Sequence, residues 1–141
     1  MNVIKSVQAW LEGFTGLEFK SFQEILTDFT EELPSSYALA PAGNSKVTED
    51  IMGNRTYQNS YILYAREPAG NEVDRAENYD FLEALNDWIE EQDDKRNYPQ
   101  LPDSRKVESI TVSNIMMFGV DDNGSAVYQI QMQLIYTKRS N

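Results

Sequence analysis

Residues 107–138 read VESITVSNIMMFGVDDNGSAVYQIQMQLIYTK, and this stretch decides the fold. From residue 127 to 138, large apolar side chains alternate with polar ones, among them Gln129, Gln131 and Gln133. A period of two is typical of a half-buried strand, and Asn-Gly between two such runs is the strongest local signal for a β-hairpin. Because Asn123-Gly124 separates residues 107–118 from residues 127–138, the sequence predicts a hairpin of two long strands. The glutamines fall on the face opposite the core, where uncharged amides tolerate contact with another surface.

A second hairpin is predicted in the middle of the chain. Residues 46–51 form a short strand, Gly53-Asn54 offers a turn, and residues 56–66 form a long strand. Both faces of the long strand mix apolar and polar side chains, so we expect it to lie centrally with a neighbour on each side. Residues 37–40 are also expected to be extended, because Pro41 disfavours helical backbone in the residue before it.

Two amphipathic helices complete the predicted elements. Apolar residues recur at three- and four-residue spacing from Val3 to Phe14, and residues 75–94 carry a clear apolar stripe. That stripe consists of Phe81, Leu82, Leu85, Trp88 and Ile89. With a short strand at residues 24–29, the order is helix, two or three strands, helix, two strands. The sequence therefore predicts a single α+β domain over residues 1–141, with a mainly antiparallel sheet of four to six strands packed by both helices.

The composition excludes several classes of protein. The chain contains no histidine and no cysteine, which rules out histidine-dependent triads, disulfides, and zinc sites with imidazole or thiolate ligands. No apolar run is long enough to span a membrane. A net charge of −11 repels phosphate backbones, so specific nucleic-acid binding is not expected. No glycine-rich phosphate loop occurs and no cofactor is predicted. Enzymes that rely on carboxylates, tyrosine or lysine survive this filter.

Charge is unevenly distributed along the chain. Residues 1–94 hold 19 acids and 6 bases, a net of −13; residues 95–141 hold 4 acids and 6 bases, a net of +2, and the two sum to −11. An acidic surface on one copy can therefore meet the less acidic end of another copy. The side chains that we expect to take part are the acids Glu90 and Glu91 and the bases Lys95, Arg96, Arg105 and Lys106. The plainer alternative is that these charges are solvated and keep the protein in solution.

Two acidic clusters could suggest a cation site. Asp121-Asp122-Asn123-Gly124 lacks the alternating ligand spacing and the distal glutamate of a calcium loop, and a hairpin turn explains it. Glu90, Glu91, Asp93 and Asp94 are better interpreted as a solvated helix end, followed by two compensating bases. No metal site is predicted, and the residues alone indicate an α+β protein without a visible active site.

Five stretches, in order along nearly the whole chain, resemble a family of small structural proteins encoded in siphophages and in prophages of low-GC Gram-positive bacteria. They are residues 4–11, 36–41, 61–67 and 81–90, and most specifically AVYQIQMQLIY at residues 126–136. Members are usually called minor capsid or minor tail proteins. They are similar to tail terminator or tail completion proteins, which form a ring at the head-proximal end of the tail tube. The same family often carries the label "chloramphenicol resistance protein", but the familiar acetyltransferase depends on a histidine base that this chain lacks.

The resemblance implies a virion assembly protein and not an enzyme. Copies would associate head to tail in a ring and contact other phage head or tail proteins. This would take place in the host cytoplasm during assembly, and the ring would then remain in the virion. DNA could pass through the ring. The subunit interface would use Glu90, Glu91, Lys95, Arg96, Arg105, Lys106 and the Gln129, Gln131 and Gln133 face. The alternative is a small-molecule-binding or carboxylate-based hydrolytic domain, which should have a deep pocket lined by acids and tyrosines.

Overall fold

The computed structural model describes residues 2–14, 25–27, 36–43, 46–68, 72–120 and 124–139. Within these ranges the chain forms two helices and one sheet of six strands. The predicted α+β class, with a mainly antiparallel sheet packed by an N-terminal and a central helix, is confirmed. Neither helix in the described ranges combines the length and the apolar character needed to cross a lipid bilayer.

Both predicted helices are present. Helix α1 (Val3–Leu11) begins at Asn2, whose side-chain oxygen accepts a hydrogen bond from the backbone amide of Lys5 at 2.9 Å and so caps the helix. Helix α2 (Glu72–Asp94) begins three residues before the predicted helix and ends at the predicted residue. Its apolar stripe faces inward, with Trp88 half-buried and the other four residues buried.

The sheet is built around one long central strand. The strands are β1 (Ile25–Thr27), β2 (Ser36–Pro41), β3 (Lys46–Glu49), β4 (Arg55–Pro68), β5 (Arg105–Val120) and β6 (Ser125–Lys138). Their order is β1-β2-β4-β6-β5, and β3 also pairs with β4. Only β1 and β2, among these described pairs, run parallel to each other. As predicted, β4 has neighbours on both sides.

The C-terminal hairpin of β5 and β6 is confirmed, but its strands differ in regularity. Gly124 has φ +82°, a backbone angle that glycine adopts without strain, and residues 121–123 of the predicted turn lie outside the described residues. Strand β5 uses 16 residues and β6 uses 14, because the register shifts between Val107 and Ser109, between Val112 and Asn114, and between Met117 and Gly119. Bulges of this kind bend the strand and increase its twist.

The core lies between one face of the sheet and the two helices. Strand β6 supplies the fully buried side chains of Tyr128, Ile130, Met132 and Leu134, which meet Leu11, Phe14, Phe81, Leu85 and Ile89 from the helical layer. The helices are joined by aromatic contacts: the ring centroids of Phe14 and Phe81 are 5.8 Å apart, and those of Trp10 and Trp88 are 4.8 Å apart. At about 25 cal/mol per Å² of buried apolar surface, each large side chain in this layer stabilises the fold by roughly 2–3 kcal/mol.

Candidate assembly surface

An open depression lies where the end of α2 leads into β5. Its volume is about 440 Å³, and it is lined by Arg96, Asn97, Tyr98, Pro99, Gln100, Leu101, Arg105, Lys106 and Val107. None of these lining residues is acidic, although the chain carries a net charge of −11. We term it the basic depression. It brings together three of the four basic residues that the sequence predicted for a subunit interface.

The fourth predicted basic residue, Lys95, pairs within its own chain. Its Nζ lies 2.5 Å from Oε1 of Glu91, one turn earlier in α2, and both side chains are more than half exposed. An exposed pair of this kind contributes only a few tenths of a kcal/mol. Lys95 and Glu91 were predicted on patches of opposite sign, whereas in the structure they offset each other locally. Glu90 stays exposed and accepts a 3.4 Å hydrogen bond from the amide of Asn86.

One carboxylate fixes the wall of the basic depression. Oδ1 of Asp93, at the end of α2, accepts hydrogen bonds from the hydroxyl of Tyr98 at 2.7 Å and from the backbone amide of Ile110 at 3.2 Å. It thereby joins the helix, the connecting loop and β5. Burial, together with the hydrogen bond to Asp93, raises the pKa of Tyr98 to about 12. The tyrosine therefore remains a neutral donor throughout the physiological pH range.

The segment from Arg96 to Arg105, which carries much of the basic depression, has an unusual backbone. Arg96, Asp103 and Ser104 have φ values of +56°, +57° and +59°, in the left-handed region that non-glycine residues seldom adopt. Arg105 supports the second bend: its Nη1 donates to the carbonyl of Pro102 at 3.0 Å and lies 3.6 Å from Oδ2 of Asp103. Because Arg105 is engaged in this way, the exposed charges that the depression offers to a partner are Arg96 and Lys106.

A second depression adjoins the first on the side of α1. Its volume is about 320 Å³, and it is lined by Ser6, Ala9, Trp10, Tyr98, Pro99 and Gln100. The indole Nε1 of Trp10 donates to the carbonyl of Asn97 at 2.9 Å, which ties α1 to the loop. Its walls are mostly carbon surface, so we term it the apolar depression. The two depressions share three lining residues and form one continuous concave surface.

The three predicted glutamines lie on the sheet face opposite both helices, which we term the glutamine face. Their neighbours across the strands are uncharged: Tyr64 and Met116 for Gln129, Ile62 and Asn114 for Gln131, Ser60 and Thr111 for Gln133. Gln129 is only 9% exposed, whereas Gln131 and Gln133 are half-buried. Of the three amides, those of Gln131 and Gln133 are therefore the more accessible.

The predicted turn between β3 and β4 is present, but the sequence analysis placed Ile51 in the preceding strand and did not predict that the turn exposes two large apolar side chains. The side chain of Ile51 is 100% exposed and that of Met52 is 74% exposed. Oδ1 of Asp50 accepts hydrogen bonds from the backbone amides of Met52 and Asn54, each at 2.9 Å, and Gly53 has φ +84°. The hydrogen bonds from Asn54, then that from Met52, hold the pKa of Asp50 below its usual range. We term residues 50–54 the hairpin tip. The apolar pair Ile51-Met52, directly before the predicted Gly53-Asn54 turn, was the signal that could have revealed it.

The enzyme alternative predicts a deep pocket lined by acids and tyrosines, and the two depressions described above differ from it in their lining. Neither depression is lined by a carboxylate. In the described ranges, no group of three or more acidic side chains is arranged to hold a metal ion. Residues 121–123, which suggested a calcium loop, lie outside those ranges.

Residues 73–138 match the family model of the bacteriophage tail terminator protein. The resemblance to tail terminators is confirmed. The match covers just under half of the chain, from the second residue of α2 to the last residue of β6. It includes the segments of this chain that carry the basic depression and the glutamines, whereas α1 and the hairpin tip lie outside it. A comparison with curated proteins gave no match.

The tail terminator family is a structural one. The match therefore supports a structural role in a bacteriophage, contact with other tail or head proteins, and a place in the virion.

Proposed function

We propose that this chain is a non-enzymatic tail terminator or tail completion protein that works by subunit assembly, as one α+β domain. Copies associate head to tail around a rotation axis, each placing a different patch against its neighbour, so that the ring closes. The ring forms in the host cytoplasm at the head-proximal end of the tail and remains in the virion as a minor component. Its other contacts are with neighbouring head and tail proteins.

The observation that carries this proposal is a basic depression on an otherwise acidic molecule. Arg96 and Lys106 are exposed there, while α2 presents the exposed acids Glu83, Asp87, Glu90 and Asp94. Two patches of opposite sign on one molecule favour a contact between unlike faces of neighbouring copies. The glutamine face is uncharged along its middle rows, which suits contact with the sheet of a partner protein or the lining of a lumen.

The charge also fits a ring that DNA passes. A net charge of −11 on each copy gives the ring a negative potential. A negative lumen repels the phosphate backbone, so DNA would pass without binding to the wall.

The test is reversal of the two exposed charges of the basic depression. We expect Arg96→Glu with Lys106→Glu to lower the oligomer mass by light scattering, or the binding to purified tail tubes, at low salt. Surface charge pairs contribute up to about 1 kcal/mol each, so both reversals together should weaken association by roughly tenfold or more. The matched control is Lys5→Glu with Arg75→Glu, which changes the net charge equally at exposed positions that line neither depression.

Two results would contradict the proposal in different ways. If the Arg96/Lys106 variant associates as the wild type does, the proposed charged contact is wrong, but the proposed ring still stands. If the wild-type protein stays monomeric at every concentration, with and without tail tubes, the proposed ring itself is wrong.

A further inference from the structure

We infer that the hairpin tip of one copy docks into the apolar depression of the next copy. Ile51 and Met52 would fill the apolar depression, and the acids Glu49 and Asp50 would lie beside Arg96 and Lys106. The inference rests on the proposed ring and names the contact that closes it.

The hairpin tip has the properties of a preformed ligand. Its two apolar side chains are the most exposed large hydrophobic residues among the described ones. The backbone beneath them is held by the hydrogen bonds to Asp50, so the backbone loses little conformational entropy on docking. A fixed turn that presents two aliphatic side chains to water indicates a surface that is buried in an assembly.

The concave surface is complementary to this tip in chemistry. The apolar depression, at about 320 Å³, has room for two aliphatic side chains between Trp10, Pro99 and Tyr98. The basic depression continues from it and supplies Arg96 and Lys106. On the tip side, the side chains of Glu49 and Asp50 are exposed. Oε2 of Glu49 lies 3.8 Å from Nε of Arg55, a long and exposed pair that binds Glu49 only weakly and leaves it able to face the basic rim together with Asp50. Apolar side chains thus meet apolar walls, and carboxylates meet cations.

The strand register places the two surfaces at the same end of the sheet, on either side of β6. Lys138 of β6 pairs with Arg55 of β4 on one side and with Arg105 of β5 on the other. The hairpin tip directly precedes Arg55, and the loop of the depressions directly precedes Arg105. Because β4 and β5 flank β6, tip and depressions lie at the same end of the sheet but toward opposite edges. Copies placed side by side therefore bring the tip of one level with the depressions of the next, as a flat closed ring requires.

Two competing contacts fit less well. The exposed acids of α2 are opposite in charge to the basic depression, but they bring no apolar side chains for the apolar depression beside it. They therefore contribute mainly to long-range attraction. Direct strand pairing along β5 is opposed by its three register shifts, since bulges interrupt the regular row of backbone groups that a new strand needs. Docking of the hairpin tip avoids both difficulties.

The absence of cysteine from the chain allows a direct test by disulfide trapping. Tagged Met52→Cys protein is mixed with untagged Gln100→Cys protein, oxidised mildly, and analysed under non-reducing conditions. The matched control replaces the second partner with Met116→Cys, which is 41% exposed on the glutamine face. We expect the Met52–Gln100 pair to give at least tenfold more mixed dimer than the control pair. Equal yields would overturn the inference.

A second variant tests the apolar contribution without new chemistry. We expect Ile51→Ser with Met52→Ser to raise the dissociation constant for self-association at least tenfold, because both side chains lose their buried contact. The control is Tyr79→Ser, which removes an apolar side chain that is 57% exposed on α2. Unchanged self-association of the serine variant would also overturn the docking. If the wild-type oligomer persists in that case, the ring stands and only the assignment of its contact fails.

Discussion

The carboxylate of Asp93 offers the sharpest test of how the assembly surface is held. Replacing Asp93 with alanine removes the acceptor of two hydrogen bonds, from the hydroxyl of Tyr98 at 2.7 Å and from the amide of Ile110 at 3.2 Å. The Tyr98 hydroxyl keeps two carbonyl acceptors nearby, those of Asp93 at 3.1 Å and Glu108 at 3.2 Å. Losing its hydrogen bond to the carboxylate therefore lowers the free energy of unfolding by about 0.5–1 kcal/mol. The half-buried amide of Ile110 loses a charged acceptor, which costs about 1.5–2 kcal/mol.

We therefore expect Asp93→Ala to lower the free energy of unfolding by about 2–3 kcal/mol. The measurement is urea denaturation followed by circular dichroism, where the midpoint should fall while the slope with denaturant stays constant. Asp94→Ala is the matched control, because it removes the same charge from the same helix end but from an exposed side chain. Its effect should stay within about 0.5 kcal/mol of wild type. A difference between the two variants below about 0.5 kcal/mol would refute the role assigned to Asp93.

Two further predictions concern pH. The pKa of Tyr98 is raised in the folded protein, so its stabilising contribution is complete below pH 10 and is lost as the pH rises toward about 12. Tyr98→Phe should therefore flatten this part of the curve of unfolding free energy against pH. An unchanged curve would contradict the prediction. The pKa of Asp50 is lowered by its hydrogen bonds, so the hairpin tip should be ordered above the ordinary aspartate pKa and loosen as the pH falls below it. Amide hydrogen exchange at Met52 and Asn54, corrected for its intrinsic dependence on pH, should then accelerate on acidification, whereas in Asp50→Ala the same amides should exchange fast at every pH.

The secondary structure was predictable because its signals are local. Strict alternation in β6 and the three- and four-residue spacing in α2 each report on backbone periodicity without tertiary information. The central place of β4 followed from the mixed character of its two faces. The three bulges of β5 were not predictable, since alternation of side chains across Ser109, Val112 and Asn114 does not show which residue is skipped by the partner strand.

The candidate surface was predictable only as a set of charges. The sequence positions of Arg96, Arg105 and Lys106, on either side of one loop, indicate that these residues lie close together. Their separate roles cannot be inferred from those positions. Arg105 supports the turn, Lys95 pairs with Glu91, and only contacts in space reveal this. The left-handed backbone of Asp103 and Ser104 carries no glycine signal. The burial of Gln129 is likewise set by its tertiary neighbours.

The contact of Trp10 with Trp88 has a practical consequence. These are the two tryptophans of the chain, and their rings meet at 4.8 Å on the wall beside the apolar depression. The tryptophan fluorescence of the unlabelled protein therefore originates beside the place where a neighbour is expected to sit. Titrating one copy against another, or against tail tubes, can be followed optically without attaching a dye, and the same emission reports whether α1 remains seated on α2.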